Sequence, residues 1–268
     1  MYTLMQLSSM SSMNKKTVII TGASSGLGKE YLNQLLNDPS IEEYWIIARR
    51  KELLEELSKK DIRIISLPLD LTNKHDIQTL IDTLDQKKPD IKILINAAGM
   101  GKVAMCDEIT NIDTERIIDL NCKALALITQ ITLPFMKKGS RIIQIASIAG
   151  FQPMPGFALY AASKAFVQSY TKALHYELRP KGIKVTAVCP YWISDTQFIS
   201  IAKEYSNQSY QKRPFSTNSE KVVQRSLEDS LKNKWISTPD PVSTFDRIVT
   251  KILPDSIVVP IMDLVRKI

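Results

Sequence analysis

The sequence predicts an α/β protein in which a doubly wound, seven-stranded parallel sheet carries helices on both faces. Short runs rich in Ile and Val alternate with longer segments of helical period along the chain. The short runs are apolar at nearly every position, as in parallel strands that are buried on both faces. Strand and helix alternating this often are typical of a doubly wound sheet with right-handed crossovers.

The individual elements follow one another as such a sheet requires. Strands are expected at Thr17–Thr21, Tyr44–Ala48, Ile62–Leu67, Ile91–Asn96, Arg141–Ala146, Ile183–Val188 and Ser256–Pro260. Helices are expected at Leu27–Leu36, Lys51–Lys59, Asp76–Gln86, Thr114–Lys138 and Ala161–Leu178. Because the chain shows no internal repeat and no low-complexity linker, we expect a single catalytic domain over residues 14–268.

Two segments depart from this pattern. Residues 1–13 mix Ser, Met and Leu without the features of a signal peptide, and we expect a flexible leader there. Residues 190–254 contain no obvious strand, and long loops of this kind are usually functional or disordered. We therefore expect a substrate-binding lid in this region. Within it, Thr217 and Glu220 have the spacing of a capping box, which predicts a helix that runs to about Lys232.

The composition excludes several classes of function. Three cysteines and two histidines are too few and too scattered for a disulfide framework or a histidine metal site, so we expect no metal. The net charge of +7 comes from isolated basic pairs among acids, which indicates a solvated surface rather than a nucleic-acid interface. No run approaches the roughly 18 apolar residues of a membrane span, and no export signal is present. We expect a cytoplasmic protein that has no membrane partner.

A glycine-rich turn follows the first strand and opens the first helix. It reads Thr21-Gly22-Ala23-Ser24-Ser25-Gly26-Leu27-Gly28. In this context one glycine permits the tight turn, one lets the backbone approach a pyrophosphate, and one allows close packing of helix and strand. The helix N-terminus offers free N–H groups and a positive dipole end to phosphates. The turn therefore predicts a Rossmann-type dinucleotide site.

A second pattern predicts acid–base chemistry. Tyr160 and Lys164 are four residues apart on a predicted helix, so their side chains share one face. A nearby ammonium favours the phenolate and lowers the pKa of a tyrosine, which then can exchange a proton with a ketone or an alcohol. Ser147 lies 13 residues before Tyr160, at the carboxyl end of the fifth strand, where ligands of parallel sheets bind.

With these motifs the chain resembles the short-chain dehydrogenase/reductase family over roughly Thr17 to Thr196. The family's glycine signature is T-G-x-x-x-G-x-G, and its N-A-G motif is similar to Asn96-Ala97-Ala98-Gly99. The resemblance implies a catalytic set of Asn121, Ser147, Tyr160 and Lys164, with Asn121 organising a water relay toward Lys164. It implies cofactor contacts at Gly22, Ser24, Ser25, Gly26, Leu27, Gly28, Asp70, Asn96, Ala97, Gly99, Tyr160, Lys164, Pro190 and Thr196.

The end of the second strand predicts which nicotinamide cofactor is used. Relatives that prefer NAD place an acid there to bind the ribose 2′-hydroxyl, whereas this chain has Ala48 followed by two arginines. An arginine can hold a 2′-phosphate through paired, charge-assisted hydrogen bonds. We expect NADP as cofactor, with Arg49 as the main contact and Ser24 as a helper.

The candidate substrate residues are mostly aromatic. Phe151 and Phe157 lie between Ser147 and Tyr160, and Tyr191 and Trp192 follow the sixth strand. Tyr191 stands where the family usually has a glycine, so we expect a local difference in the backbone or the pocket wall. Apolar walls around a few polar groups indicate a hydrophobic ketone or alcohol. Similarity to hydroxysteroid dehydrogenases favours steroids or bile acids, while 3-oxoacyl thioesters, sugars and small diketones remain alternatives.

The sequence therefore predicts an NADP-dependent oxidoreductase that interconverts a ketone and a secondary alcohol. A non-catalytic NADPH-sensing regulator is the main alternative from another class, although a sensor has no need of a proton relay. A lyase or epimerase on the same fold is a third possibility, but those relatives have a T-G-x-x-G-x-x-G turn and a longer substrate domain. The resemblance also implies a homodimer or homotetramer that pairs through the two long helices.

Overall fold

The sheet has seven parallel strands in the order β3-β2-β1-β4-β5-β6-β7. A computed structural model describes residues 14–198, 202 and 215–267, so the leader expected at residues 1–13 lies outside the described residues. The strands are β1 Lys16–Thr21, β2 Glu43–Ala48, β3 Ile64–Pro68, β4 Asp90–Asn96, β5 Met136–Ile145, β6 Lys184–Val188 and β7 Ile236–Ser237. The winding direction reverses between β1 and β4, and ligands of such sheets bind at this switch point.

Helices cover both faces of the sheet. They are α1 Gly26–Leu35, α2 Lys51–Ser58, α3 Lys74–Lys87, α4 Asn111–Ile118, α5 Leu125–Thr132, α6 Ala158–Glu177, α7 Ser219–Leu231, α8 Pro241–Ile252 and α9 Asp255–Lys267. Successive strand side chains point to opposite faces, so Ile20 and Ile46 enter one core cluster while Ile19 and Ile47 enter the other. The predicted fold class is confirmed.

The seventh strand is not where the sequence predicts it. Ser256–Pro260 lies within α9, and β7 is the short segment Ile236–Ser237, which pairs with Ala187 and Val188 of β6. The apolar run in α9 has helical spacing, because Val258 is buried while Ile257 and Ile261 are exposed on another side of the helix. A two-residue strand carries almost no periodicity in the sequence, so β7 escapes detection.

The predicted helix Thr114–Lys138 is interrupted. A π-helical turn, Asp119–Ala124, joins α4 to α5, and β5 begins at Met136, five residues before the predicted start. Among the described residues, the helical run Asn111–Phe135 is long and apolar enough to cross a membrane by length and composition. Its Ile128 belongs to the same core cluster as Leu94 and Ile142 of the sheet, which is the position of a core helix.

Much of the region expected to form a lid consists of regular helices and a strand. Between residues 190 and 254 lie α7, β7 and α8, and Val222 and Val223 of α7 are fully buried in the core. Residues 199–201 and 203–214 lie outside the described residues, and the substrate-binding lid stays a prediction. The helix expected after Thr217 is present, but Asn218 caps it by accepting a hydrogen bond from the Lys221 backbone N–H at 3.0 Å.

Candidate active site

The glycine-rich turn between β1 and α1 leaves no room for side chains on its outer glycines. Gly22 has a φ of +68°, and a Cβ there would lie 2.8 Å from Ala98 Cα. A Cβ on Gly28 would lie 2.4 Å from the Gly22 carbonyl oxygen. Only glycine fits both positions, and this close packing brings the turn against the end of β4.

The N-terminus of α1 is open to an anion. Its N-cap, Ser25, makes no capping hydrogen bond with its side chain, and no acidic residue occupies the first turn. By contrast, the N-caps of α3 and α4, Asn73 and Thr110, both accept hydrogen bonds from backbone N–H groups. The free N–H groups of α1 and its dipole are the features that bind phosphate at helix N-termini. The turn therefore fits a dinucleotide pyrophosphate, with Gly26, Leu27 and Ser24 beside it.

The Asn96-Ala97-Ala98-Gly99 segment ties three strands together. Asn96 Nδ2 donates to Thr129 Oγ1 at 3.0 Å and to Gln144 Oε1 at 3.1 Å, which links β4 to α5 and β5. The Ala98 N–H donates to Thr21 Oγ1 at 3.1 Å, which links the segment to the end of β1. Ala97 packs against the core cluster on the α1 side. These hydrogen bonds hold the segment in place next to the glycine-rich turn.

Tyr160 lies in an aromatic stack at the start of α6. Its ring packs on Phe157 at a centroid distance of 4.3 Å and on Phe198 at 5.3 Å. Lys164 Nζ lies 5.5 Å from the Tyr160 ring centroid and donates to the Ile145 carbonyl at 2.7 Å. Both residues are buried. The structure therefore brings the phenol and the ammonium together on one face of the helix, at the carboxyl end of β5.

Burial shifts both of these groups toward their uncharged forms. It raises the pKa of Tyr160, an effect that a hydrogen bond with the Ser147 side chain opposes. It also lowers the pKa of Lys164 to about 8. Within the chain itself, loss of water around the phenol thus shifts the tyrosine pKa upward, in the direction opposite to the one expected from Lys164. A lowered phenol pKa would need additional positive charge at this site.

Ser147 and Asn121 complete the group around Tyr160. Ser147 follows β5, its Oγ accepts from the Ala149 N–H at 3.2 Å, and its carbonyl accepts from Gln168 Nε2 at 2.7 Å. Asn121 lies in the π-helical turn and is buried, and its Oδ1 accepts from the Met100 N–H at 2.9 Å. All four residues of the expected catalytic set thus lie at the carboxyl edge of the sheet.

The two arginines after β2 have different surroundings. Arg50 donates to both Ser24 Oγ and Ser25 Oγ at 2.9 Å, so its guanidinium lies over the glycine-rich turn. Arg49 has an electrostatic interaction with Asp70. Partial burial raises the pKa of Asp70, but hydrogen bonds from Thr72 and the positive charge of Arg49 lower it below its usual value. The structure therefore brings Arg50, rather than the expected Arg49, together with Ser24.

The chain after β6 returns over the glycine-rich turn. Thr196 Cγ2 would lie 3.7 Å from a Cβ on Gly26, so the threonine faces the opening between β1 and α1. The Pro190 carbonyl accepts from the Ile148 N–H at 3.3 Å, which fixes this segment next to Ser147. The Tyr191 N–H donates to Asp240 Oδ2 at 3.1 Å, so the residue that replaces the family's glycine is anchored to the cap of α8.

The expected substrate residues separate into two groups. Phe157 stacks on Tyr160, whereas Phe151 packs in another cluster with Val167, Cys189 and Ile236, and its expected contact with substrate stays a prediction. Trp192 is half-buried, and its carbonyl accepts from the Thr217 N–H at 3.0 Å. The 3₁₀ turn Ile148–Gly150 separates Ser147 from Phe151.

Sequence reasoning missed two residues that contact Tyr160. Phe198 packs on its ring, and a Cβ on Gly101 would lie 2.9 Å from Tyr160 Cδ2 and 3.0 Å from Phe198 Cζ. Gly101 thus allows the aromatic stack to close. Gly101 could have been found because it follows the Asn96–Gly99 motif closely in the sequence. Phe198 lies beyond the region where any motif is recognisable.

Comparison with known proteins agrees with this geometry. A family model described as short chain dehydrogenase matches residues 16–206. Sulfoacetaldehyde reductase 2 of Chromohalobacter salexigens is 33% identical over 192 residues, which are 68% of this chain and 73% of that protein. A short-chain dehydrogenase from Sphingobium yanoikuyae in complex with NADPH superposes with a TM-score of 0.75 at 28% identity, over 88% of this chain and 93% of that one. A bulky-bulky ketone specific alcohol dehydrogenase from Comamonas testosteroni superposes with a TM-score of 0.69 at 27% identity, over 90% of this chain and 94% of that one.

Proposed function

Because the chain belongs to the short-chain dehydrogenase family, we propose that it is an NADP(H)-dependent oxidoreductase that interconverts a bulky, hydrophobic ketone and its secondary alcohol. The observation that carries this proposal is the position of Tyr160. It lies beside Ser147 and Lys164 at the carboxyl end of β5, and its ring packs against Phe157 and Phe198. Polar groups converge there on one phenol inside an apolar wall.

The cofactor site fits a dinucleotide that carries an additional phosphate. The glycine-rich turn and the uncapped α1 N-terminus would hold the pyrophosphate, and Thr196 would contact the nicotinamide side. No acid follows β2, and the Arg50 guanidinium lies on Ser24 and Ser25, where a 2′-phosphate would gain charge-assisted hydrogen bonds. Arg49 adds positive charge nearby. The NADPH in the Sphingobium relative supports the same choice.

The chain's own groups handle the proton of the reaction. A nicotinamide cofactor held by the glycine-rich turn and Thr196 would supply or take up the hydride of the reaction. In the reduction, Tyr160 gives its hydroxyl proton to the ketone oxygen, and the Ser147 hydroxyl donates a hydrogen bond that orients this oxygen. The Lys164 ammonium stabilises the phenolate left on Tyr160, and its pKa of about 8 leaves it mostly protonated at neutral pH.

The wall around Tyr160 favours an apolar substrate. The cluster that contains Tyr160 consists of Val103, Ala149, Phe157, Ala161 and Ala202, with Met154 and Phe198 packed against it. These apolar side chains pack around the phenol, which favours a large apolar substrate over a small anion such as the one in the name of the Chromohalobacter relative. The Comamonas relative, named for bulky ketones, supports a large substrate. Steroids and bile acids are the first candidates within this class.

The first test follows NADPH and NADH absorbance with a panel of ketones. The panel contains keto-steroids, oxidised bile acids, 3-oxoacyl thioesters, simple diketones and sulfoacetaldehyde. Oxidation of NADPH by the large apolar ketones, with little by the small or anionic ones, is the expected result. Tight NADPH binding without turnover of any compound would favour the non-catalytic regulator, and turnover confined to sulfoacetaldehyde would refute the apolar substrate class.

We also propose that the chain forms a homodimer or homotetramer through α4 and α6. Both helices expose large apolar side chains to solvent, with Ile112 of α4 exposed by 61%, Tyr176 of α6 by 57% and Phe166 of α6 by 41%. Exposed apolar patches of this kind favour association. Light scattering after gel filtration should give a mass of two or four chains, and Phe166→Glu should reduce it. A monomeric wild-type protein would contradict the proposal.

A further inference from the structure

Ser163 of α6 links the catalytic helix to the π-helical turn. It lies three residues after Tyr160 and is 1% exposed. Its Oγ donates to the Tyr160 carbonyl at 2.7 Å and accepts from Asn121 Nδ2 at 2.9 Å. A hydrogen bond from a serine to a carbonyl one turn earlier is ordinary within a helix. The second hydrogen bond, from a side chain on another element, is specific to this position.

The direction of these hydrogen bonds fixes the carboxamide of Asn121. A serine hydroxyl has one hydrogen, and here the Tyr160 carbonyl accepts it, so the Ser163 oxygen can only accept from Asn121. Asn121 must therefore present its NH₂ group to Ser163 and to the Met100 carbonyl, and its oxygen to the Met100 N–H. Rotating the carboxamide by half a turn would place oxygen against oxygen and N–H against N–H.

The segment held by Asn121 runs directly past Lys164. A Cβ on Gly99 would lie 3.3 Å from Asn121 Oδ1 and 3.4 Å from Lys164 Nζ, so both side chains lie against the same side of the Gly99 backbone. Asn121 holds this backbone through both the N–H and the carbonyl of Met100, at 2.9 and 2.8 Å. A different orientation of the Asn121 carboxamide would therefore change the position of the backbone next to the Lys164 ammonium.

We propose that Ser163 is a positioning residue, which sets the orientation of Asn121 and thereby holds the Gly99–Met100 backbone against Lys164. The proposal rests on the proposed function, since it assigns Ser163 a part in the proton chemistry of that site. Among the described residues, the Ser163 hydroxyl bonds to the Tyr160 carbonyl and to Asn121. It acts through Asn121 alone, and this makes the proposal testable by combining variants.

The primary variant is Ser163→Ala, which removes the acceptor without weakening the helix, because alanine has the higher helix propensity. We expect kcat to fall about tenfold, the factor that corresponds to one buried hydrogen bond left unmade, with little change in the KM for NADPH. Thr171→Val is the matched control. Thr171 is a fully buried hydroxyl residue of the same helix, and its Oγ1 donates to the Val167 carbonyl at 2.6 Å, its one hydrogen bond within the described part of the chain. Its kcat should stay within about twofold of the wild type.

A double-mutant cycle separates positioning from a general structural effect. If Ser163 acts through Asn121, then Ser163→Ala should lower the residual kcat no further when Asn121→Ala is already present. Hydrogen exchange gives a readout that needs no turnover. The Met100 amide, which donates to Asn121, should exchange faster in Ser163→Ala than in the wild type or in Thr171→Val.

Two results would overturn the proposal. One is an equal fall in kcat when Ser163→Ala is made in the wild type and in Asn121→Ala, or no fall in the wild type at all. The other is unchanged exchange of the Met100 amide in Ser163→Ala. An inactive wild-type protein would instead refute the proposed function, and the exchange measurement would still decide whether Ser163 positions Asn121.

Discussion

Replacing Arg50 should separate NADPH from NADH binding. The Arg50 guanidinium is directed at Ser24 and Ser25 of the glycine-rich turn through two hydrogen bonds of 2.9 Å, and it is exposed to solvent. A hydrogen bond to a charged group contributes about 1.5–3 kcal/mol, and exposure favours the lower end of this range. Arg50→Ala should therefore raise the Kd for NADPH about tenfold and leave the Kd for NADH nearly unchanged.

Arg49→Ala is the matched control for that measurement. Arg49 is exposed on the same turn, and its electrostatic interaction is with Asp70 rather than with the serines of the glycine-rich turn. Titrating the fluorescence of NADPH and NADH against each variant gives the four dissociation constants. We expect Arg49→Ala to weaken NADPH by less than about threefold, as for most exposed charges. Equal weakening of NADPH and NADH by Arg50→Ala, or a larger effect of Arg49→Ala, would refute the assignment.

Two further predictions concern stability and pH. Burial lowers the pKa of Lys164 to about 8, so the folded state binds fewer protons than the unfolded state between that value and the ordinary lysine pKa, and stability should rise with pH there. In urea denaturation at pH 7, the free energy of unfolding of Lys164→Met should therefore exceed that of the wild type by about 1–3 kcal/mol. This gain should shrink by pH 10, and a gain independent of pH would contradict the reasoning. Burial raises the pKa of Asp246 to about 6, which destabilises the fold above that pH and not below pH 4. Asp246→Asn should raise Tm at pH 7.5 and leave it unchanged at pH 4, and a lower Tm at pH 7.5 would show that the carboxylate is needed.

Most strands of the sheet could be predicted because burial in the core requires runs of apolar residues, which are visible in the sequence. Strands β1 to β6 contain short apolar runs, and they were found to within a few residues except at the start of β5. The early start of β5 was missed because its first residues, Met136 to Ser140, include two exposed lysines. β7 was missed because pairing of two residues with β6 defines it, and no local pattern does so.

The candidate site shows the same division. Spacing along one strand or helix is local, so the glycine-rich turn and the Tyr160–Lys164 pair could be recognised before their geometry was known. The choice between Arg49 and Arg50 depends on which side chain turns toward Ser24, and adjacent residues differ in direction for reasons that the sequence does not display. Phe198 and Ser163 were missed because each acts through a contact distant in the chain.

The account stands on Tyr160 as the group that exchanges a proton with the substrate, and Tyr160→Phe tests this most directly. The variant should bind NADPH as the wild type does and lose about 10²- to 10⁴-fold in kcat, since only the hydroxyl is removed. Tyr170→Phe, a half-buried tyrosine further along the same helix, is the matched control and should keep its rate. Turnover of Tyr160→Phe close to that of the control would contradict the account.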